Sequence, residues 1–597
     1  MIFPLLFLMK GFFRMKIFGP ILLLLVISIE IMAQEIYIEA EDAQLINGAK
    51  VVNSSLCSGG RKVGYIGDSN RNGGIVFNFE IDEENYYNIN IHYVAGEKRS
   101  FRFIFNNDKP EYFEMPSTGS WEIPGIYSVR KYFKSGLNTL QVDNDTGYGP
   151  DLDALIITKA IKENSNESDT VVFSLGEWKL KFYKNSGKTD LFKEQKLLLK
   201  KNSLAFNESN KKYYSGELRI MEILETHLED KIGTGKKVVV ESISSDSSIQ
   251  ITQNYYLYYD EDFVLTDFSI KSGRSLFSNY MAPVYSFDTV SFLPDDHNNK
   301  SIFVPFDNDK WIRYNLLDFG TPLSSYEVSC LFNTNSREAL IIGSVEHDIW
   351  KSGIRVSTLA DNTIFRVEAY GGASSSETRD ILPHGKIKGK EIKSPLMMIG
   401  LYKDWRKGFE KYGDINEKIS CKLPWNKGKI FGWNSWGAIQ TNLSLKNATE
   451  VSDFFATYLQ PGGFNNDSTV YIGLDSYWDN ISYSDLIKFV KDCKTKNQNA
   501  GIYWTPFVDW AKNPERIVEG SNGIYYKDIY LYANGKPQEI AGAYAIDPTH
   551  PATKRRADVY LNRFITQGFT YLKLDFLSHG ALESDHYYDT TVFTGIQ

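Results

Sequence analysis

The run Thr570-Tyr571-Leu572-Lys573-Leu574-Asp575-Phe576 decides how the last part of the chain is read. It is an apolar stretch closed by a lysine and a carboxylate, and it follows an amphipathic helical pattern from Thr553 to Gln567. The same pairing recurs upstream. Ile430-Phe431-Gly432-Trp433 precedes a helical segment around Ala448 to Tyr458, and Val470-Tyr471-Ile472-Gly473-Leu474-Asp475 precedes another from Tyr483 to Cys493. Ala500-Gly501-Ile502-Tyr503-Trp504 is a further strand-like run. Continuous apolar runs alternating with amphipathic helices predict parallel strands covered on both faces, here the opening of a (β/α)8 barrel.

Barrel enzymes carry their chemistry at the C-terminal ends of the strands. Those ends hold Trp433, Asp475, Tyr503, Lys573 and Asp575. Any one of them also reads as a simple strand-end cap. Together, aromatic rings, two carboxylates and a lysine are what a glycosidase pocket needs: a ring to stack on the sugar, one carboxylate to grip hydroxyls and another to attack the anomeric carbon.

Four such strands can be counted, and the last ends at Asp575, 22 residues before Gln597. A closed barrel needs eight strands and typically ~250 residues, whereas about 170 follow Lys429. The expectation is therefore a partial barrel over 428–597, truncated after about strand four. Retaining hydrolysis also needs a second carboxyl group ~5–5.5 Å from the nucleophile. Glu583, Asp585 and Asp589 fall in the loop after the fourth strand, which makes them poor substitutes, with Glu583 left open.

Working back, residues 165–420 are β-rich. Val238-Val239-Val240, Ile249-Gln250-Ile251-Thr252, Tyr255 to Tyr259 and Phe263 to Phe268 are separated by turn residues such as Gly233-Thr234-Gly235 and Asp260-Glu261-Asp262. Their number predicts one large β-sandwich rather than two small ones. His347 and His384 are isolated and read as structural. An amphipathic stretch from Asp404 to Tyr412 closes the region, and the polar run Glu163–Asp169 reads as the linker before it.

Residues 35–160 contain short alternating strands, among them Phe77-Asn78-Phe79-Glu80-Ile81, Tyr87-Asn88-Ile89-Asn90-Ile91 and Phe101-Arg102-Phe103-Ile104-Phe105. That spacing predicts an antiparallel β-sandwich module. Carboxylates gather at its ends, Glu39 and Glu41 at the start, Asp151 and Asp153 at the finish. The first and last strands of a sandwich often lie side by side, so these groups can share one hard cation such as calcium. Scattered, solvated carboxylates are the alternative reading.

Ahead of the module, Arg14-Met15-Lys16, the apolar run Ile17 to Ile29 and the small residue in Ile31-Met32-Ala33-Gln34 have the build of a secretory signal peptide over residues 1–34. A retained membrane anchor is the alternative. No later run reaches the ~18 apolar residues needed to span a bilayer. The expectation is a secreted or periplasmic protein with no membrane contact after cleavage. A net charge of −8 gives no basic footprint for nucleic acid. The 37 Phe, 37 Tyr and 11 Trp suit both β-rich architecture and sugar stacking. The 4 cysteines form no CxxC or Cys/His cluster, so neither a zinc site nor a disulfide framework is indicated.

Two resemblances follow from these residues. Ile38-Glu39-Ala40-Glu41-Asp42-Ala43, Thr118-Gly119-Ser120-Trp121, Lys134 to Leu140 and Gly149-Pro150-Asp151-Leu152-Asp153 resemble carbohydrate-binding modules of families 35 and 6. That implies a jelly-roll sandwich with a structural calcium, for which Glu39, Glu41 and Asp153 are the implied ligands. Phe431 to Gly437, Gly473 to Asp479, Gly501-Ile502-Tyr503, Ile546 to Pro551 and Leu572-Lys573-Leu574-Asp575 resemble glycoside hydrolase clan D. Families 27 and 36 of that clan are mainly retaining α-galactosidases, and the sandwich ahead of the barrel is more like family 36. The resemblance makes Asp575 the nucleophile. It makes Lys573 and Asp475 ligands of sugar hydroxyls, and Trp433 and Tyr503 the pocket wall. It implies no catalytic cofactor, an oligo- or polysaccharide partner, and an acid/base beyond position 597. Ser476 stands where many clan members have a second aspartate, which leaves open a relative acting on an α-N-acetylgalactosaminide or α-glucan. A carbohydrate-binding protein without catalysis is the rival of another class.

Overall fold

The computed structural model describes residues 35–597 except 55–56, 68–71, 116, 119–120, 123, 160–168, 210, 308–311, 361, 421–422, 427–428 and 468. The signal-peptide reading, most of the linker and Cys421 lie outside the described residues. Among the described residues no helix is long and apolar enough to cross a membrane.

Period-two alternation folds residues 35–159 into two antiparallel sheets of six and five strands. Their inward positions, including Phe77, Phe101, Phe103, Leu140 and Leu155, make one core. Strand Glu35–Glu39 pairs with Asp151–Lys159, placing Glu39 opposite Ala154. The two chain ends of the module are thus neighbours.

The next region packs a nine-stranded sheet on a ten-stranded one. Leu180, Leu191, Ile354 and Val367 of the first meet Val238, Val240, Leu257, Leu340 and Ile399 of the second in one cluster. A single core shared by both sheets makes this one sandwich. Helix Trp405–Ile419 closes it, capped by the Asp404 carboxylate accepting the Arg406 N–H at 3.0 Å. His384 lies stacked on Trp350 with ring centroids 5.3 Å apart, and the Lys351 N–H donates to it. His347 pairs with Glu327 and Asn416.

Beyond it, strands Gly432–Asn434, Val470–Leu474, Gln498–Trp504 and Tyr571–Leu574 form a parallel sheet in chain order. Helices Leu445–Phe454, Tyr483–Thr495 and Pro551–Gln567 connect them. Each starts at a side-chain cap, on Ser444, Ser482 and His550 in turn. Ile472, Leu474, Ile502 and Trp504 bury against Leu486, Phe489 and Phe564, so the helices cover one face of the sheet. Within the first expected helical segment the α-helix ends at Phe454 and continues as a π turn over Phe455–Leu459.

Between the third strand and Ile546 lies a segment to which the sequence pattern assigned nothing. It forms short antiparallel ladders, Val508–Asp509 with Ala543–Ala545 and Tyr532–Ala533 with Lys536–Pro537. The loop after the last strand docks back on the sandwich. Lys351 Nζ lies 2.7 Å from Asp380 and 3.2 Å from Glu583, with all three side chains buried.

Candidate sugar site

Parallel register aligns the strand ends. Asn434 stands opposite Gly473, Leu474 opposite Ile502, and Tyr503 opposite Lys573. Period-two geometry then sends Asn434, Tyr503 and Lys573 to the face away from the helices. Asp475 follows the second strand and is only 2% exposed. Its Oδ2 accepts from Asn434 Nδ2 at 2.7 Å and from Lys573 Nζ at 2.8 Å, and its Oδ1 accepts the Ser476 N–H. The Asp475 N–H donates in turn to Ser435 Oγ at 2.9 Å.

Asp575 extends the last strand, its N–H donating to the Trp504 carbonyl at 3.2 Å. Its Oδ2 lies 3.6 Å from Lys573 Nζ, and the side chain is 43% exposed. One ammonium thus sits between a buried carboxylate and an open one. Lys573 also lies over the Tyr503 ring, 5.1 Å from its centroid. Burial first, then the charges of Asp575 and Asp475, push the Tyr503 hydroxyl well above its ordinary range. It stays protonated, a hydrogen-bond donor facing carboxylates. Phe576 holds φ 56°, a left-handed conformation that is costly for a bulky residue and is found at constrained sites.

Trp433 is partly buried and packs against the core beside the helices. Its neighbour Asn434 reaches Asp475 instead. Two exposed rings stand at the strand ends, Trp436 and Tyr477, nearly parallel at 13° with centroids 6.5 Å apart. Asn434, Ser435 and Trp436 lie inside the Phe431–Gly437 stretch, but nothing in their order showed which would face Asp475.

The remaining carboxylates are engaged elsewhere. Glu583 Oε2 accepts the N–H groups of Gly385 and Gly595 at 3.0 and 3.2 Å. Asp585 accepts those of Asn534 and Gly535, and Asp589 that of Thr591.

In the first domain Glu39, Glu41 and Asp153 gather around Ser58 and Gly59. Ser58 N–H donates to Asp153 Oδ1 at 2.9 Å and Ser58 Oγ to Glu39 Oε1 at 2.7 Å. Gly59 has φ 61°, and a Cβ there would lie 3.2 Å from Glu41 Oε1 and 3.7 Å from Glu39 Oε1. Glu39 Oε2 and both Glu41 carboxylate oxygens are buried without a hydrogen-bond donor, although Arg61 Nε approaches Glu41 at 3.2 Å. Burial, and then Glu39 and Glu41 against a Ser58 hydrogen bond, raise the Asp153 carboxyl to about 7. As placed, among the described residues, no group of three or more His, Cys, Asp or Glu has the spacing of a bound metal. The orphaned buried carboxylate oxygens are the donor chemistry that a hard cation takes.

No family model matches the chain, and no curated protein matches its sequence. Among solved structures, a family 35 carbohydrate binding module from Clostridium thermocellum is similar at 24% identity and TM-score 0.20, over 20% of this chain and 97% of that one. A GH36 alpha-galactosidase from Geobacillus stearothermophilus is similar at 11% identity and TM-score 0.45, over 68% of this chain. An alpha-galactosidase from Thermus thermophilus shares 14% identity at TM-score 0.37, over 60% of this chain. This chain spans 65% of the length of each alpha-galactosidase.

Proposed function

We propose that the chain is an exported, α-galactosidase-like glycosidase that carries a carbohydrate-binding module ahead of a sandwich and a barrel-type domain. The observation that carries this reading is Lys573 held between Asp475 and Asp575 at the ends of parallel strands. In this reading the open carboxylate, Asp575, attacks the anomeric carbon of an α-galactoside. The glycosidic C–O bond breaks as the C–O bond to Asp575 forms, its electron pair leaving on the oxygen. An activated aryl leaving group carries that pair away without a proton, and water then hydrolyses the covalent glycosyl-enzyme. Lys573 holds its ammonium 3.6 Å from Asp575 Oδ2 and also grips sugar hydroxyls. Asp475, Asn434 and Lys573 form the fixed polar wall, while Tyr503 supplies a ring and a donor hydroxyl. Trp436 and Tyr477 supply apolar faces for the substrate's C–H groups.

Glu583, buried against Lys351, is not placed to exchange protons with substrate. Asp585 and Asp589 accept loop N–H groups and are poor substitutes for the acid/base. The reading therefore assigns the nucleophile and the sugar-gripping groups, and it expects little turnover of unactivated galactosides by these residues alone. Calcium, held by Glu39, Glu41 and Asp153, would neutralise the carboxylates that close the first module.

A panel of nitrophenyl α-glycosides, with galactose binding by calorimetry, tests the specificity. Binding of the galactoside in preference to the N-acetylgalactosaminide and glucoside supports the reading. Preference for either of the others transfers it to a relative with another sugar, the alternative that Ser476 leaves open.

A further inference from the structure

The outer face of the nine-stranded sheet carries charges that the sugar site does not use. Strands Leu323–Tyr326, Ser352–Thr358 and Ile364–Gly371 are adjacent there. Register places Ser324 opposite Arg355, Arg355 opposite Glu368, and Ser357 opposite Arg366. Alternate residues share a face. Ile354, Val356, Val367 and Ala369 enter the sandwich core, so Arg355, Ser357, Arg366 and Glu368 share the opposite face.

Both arginines converge on Glu368, which is 1% exposed. Arg355 Nη1 lies 3.2 Å from Glu368 Oε1, and Arg366 Nε lies 3.2 Å from Oε2. Among the described residues, Glu368 is the one carboxylate in ion-pair contact with either guanidinium. Burial would raise its carboxyl, but Arg366, Arg355 and Lys212 outweigh that and hold it at about 2. Lys212 sits over the rings of Tyr280, Tyr285 and Tyr214, and burial pulls its ammonium down to about 8. Three cations therefore share one carboxylate, and Arg355 Nε is buried without an acceptor.

Above this face the first domain leaves a small recess. Ser117 and Thr118 of that domain line it together with Ser324, Ser357, Arg355 and Arg366. Its volume is about 40 Å³, room for about three waters and too little for a sugar ring. Surplus positive charge taken out of water is costly unless an anion accompanies it. Guanidinium forks are shaped for flat or tetrahedral oxyanions.

We propose that this recess, between the first domain and the sandwich, binds one compact oxyanion, a carboxylate or sulfate group held by Arg355 and Arg366. The group can be a free anion or a substituent of an acidic polysaccharide whose sugar rings stay outside. Calorimetric titration of the full chain with sodium galacturonate and with sodium sulfate, each against sodium chloride at matched ionic strength, tests it. Saturable binding is expected, unaffected by excess galactose and weakened at least tenfold in Arg366→Gln. Galacturonate preferred over sulfate points to the polysaccharide source, and sulfate alone to a free anion. No saturable binding, or binding unchanged in Arg366→Gln, overturns the proposal. Ser357→Asp guards against a misfolded arginine variant, because it sets a carboxylate opposite Arg366. It should raise the melting temperature and abolish the anion response, and an intact response in a folded Ser357→Asp protein would also overturn the proposal.

Discussion

The Lys573 ammonium donates to Asp475 Oδ2 at 2.8 Å, tying the end of strand Tyr571–Leu574 to that of Val470–Leu474 across the strand between them. Asp475 is buried, and its Oδ2 accepts from that donor and from Asn434. Lys573→Met should lower unfolding free energy by about 1–3 kcal/mol, the cost of leaving a buried acceptor short of a partner. It should also weaken galactose binding at least tenfold. Urea titration and calorimetry of the variant check both, and a fully stable variant with unchanged affinity would remove the lysine from the site.

The first module should respond to calcium. Glu39 and Glu41 hold buried oxygens without donors, and a cation that binds only the folded state stabilises it by about 2.7 kcal/mol at one hundred times Kd. Chelator should lower the module's melting transition within the full chain, and Glu41→Gln should make that transition indifferent to calcium. A transition that ignores both calcium and chelator speaks against the site.

The buried charges between the sandwich and the loop after the last strand give a contrast between two substitutions. Glu583→Gln keeps an acceptor for Gly385 and Gly595 and relieves repulsion with Asp380, so it should stay within about 1 kcal/mol of the parent. Lys351→Met leaves two buried carboxylates without their cation and should cost about 3–5 kcal/mol. Equal losses from both would mean that this junction is not held by charge.

His384 sets an acid limit. Burial lowers its pKa from 6.5 to about 4, so the folded state prefers the neutral ring. Its contribution is fully present above the unfolded value of about 6.5 and is lost as pH falls toward 4. His384→Gln should flatten the stability profile across that interval by up to about 3 kcal/mol relative to the parent. Parallel profiles for the two proteins would show that the ring titrates freely.

The strand-end chemistry was legible because an apolar run closed by a charged residue is a local signal. Asp475 and Asp575 stand out that way, and the structure sets both at the ends of parallel strands. Which face each residue takes was not legible, because a parallel strand covered on both sides shows no polar alternation. Trp433 therefore read as pocket wall although it packs beside the helices, and Asn434 went unnoticed. Glu583 was open for a different reason: its partners Lys351 and Gly385 lie about two hundred residues away, beyond any sequence periodicity. The Val508–Ala545 segment, with two- and three-residue ladders, is too short to leave a pattern.

The central claim is that Asp575 is a glycosyl acceptor. An activated 2-deoxy-2-fluoro-α-galactosyl fluoride tests it most directly, because fluoride leaves without a general acid and the 2-fluoro group slows the hydrolysis that follows. The account predicts a covalent adduct, one fluorogalactosyl unit per chain, on the peptide containing Asp575 and absent in Asp575→Asn. An unlabelled protein, or a label that persists in Asp575→Asn, would contradict it.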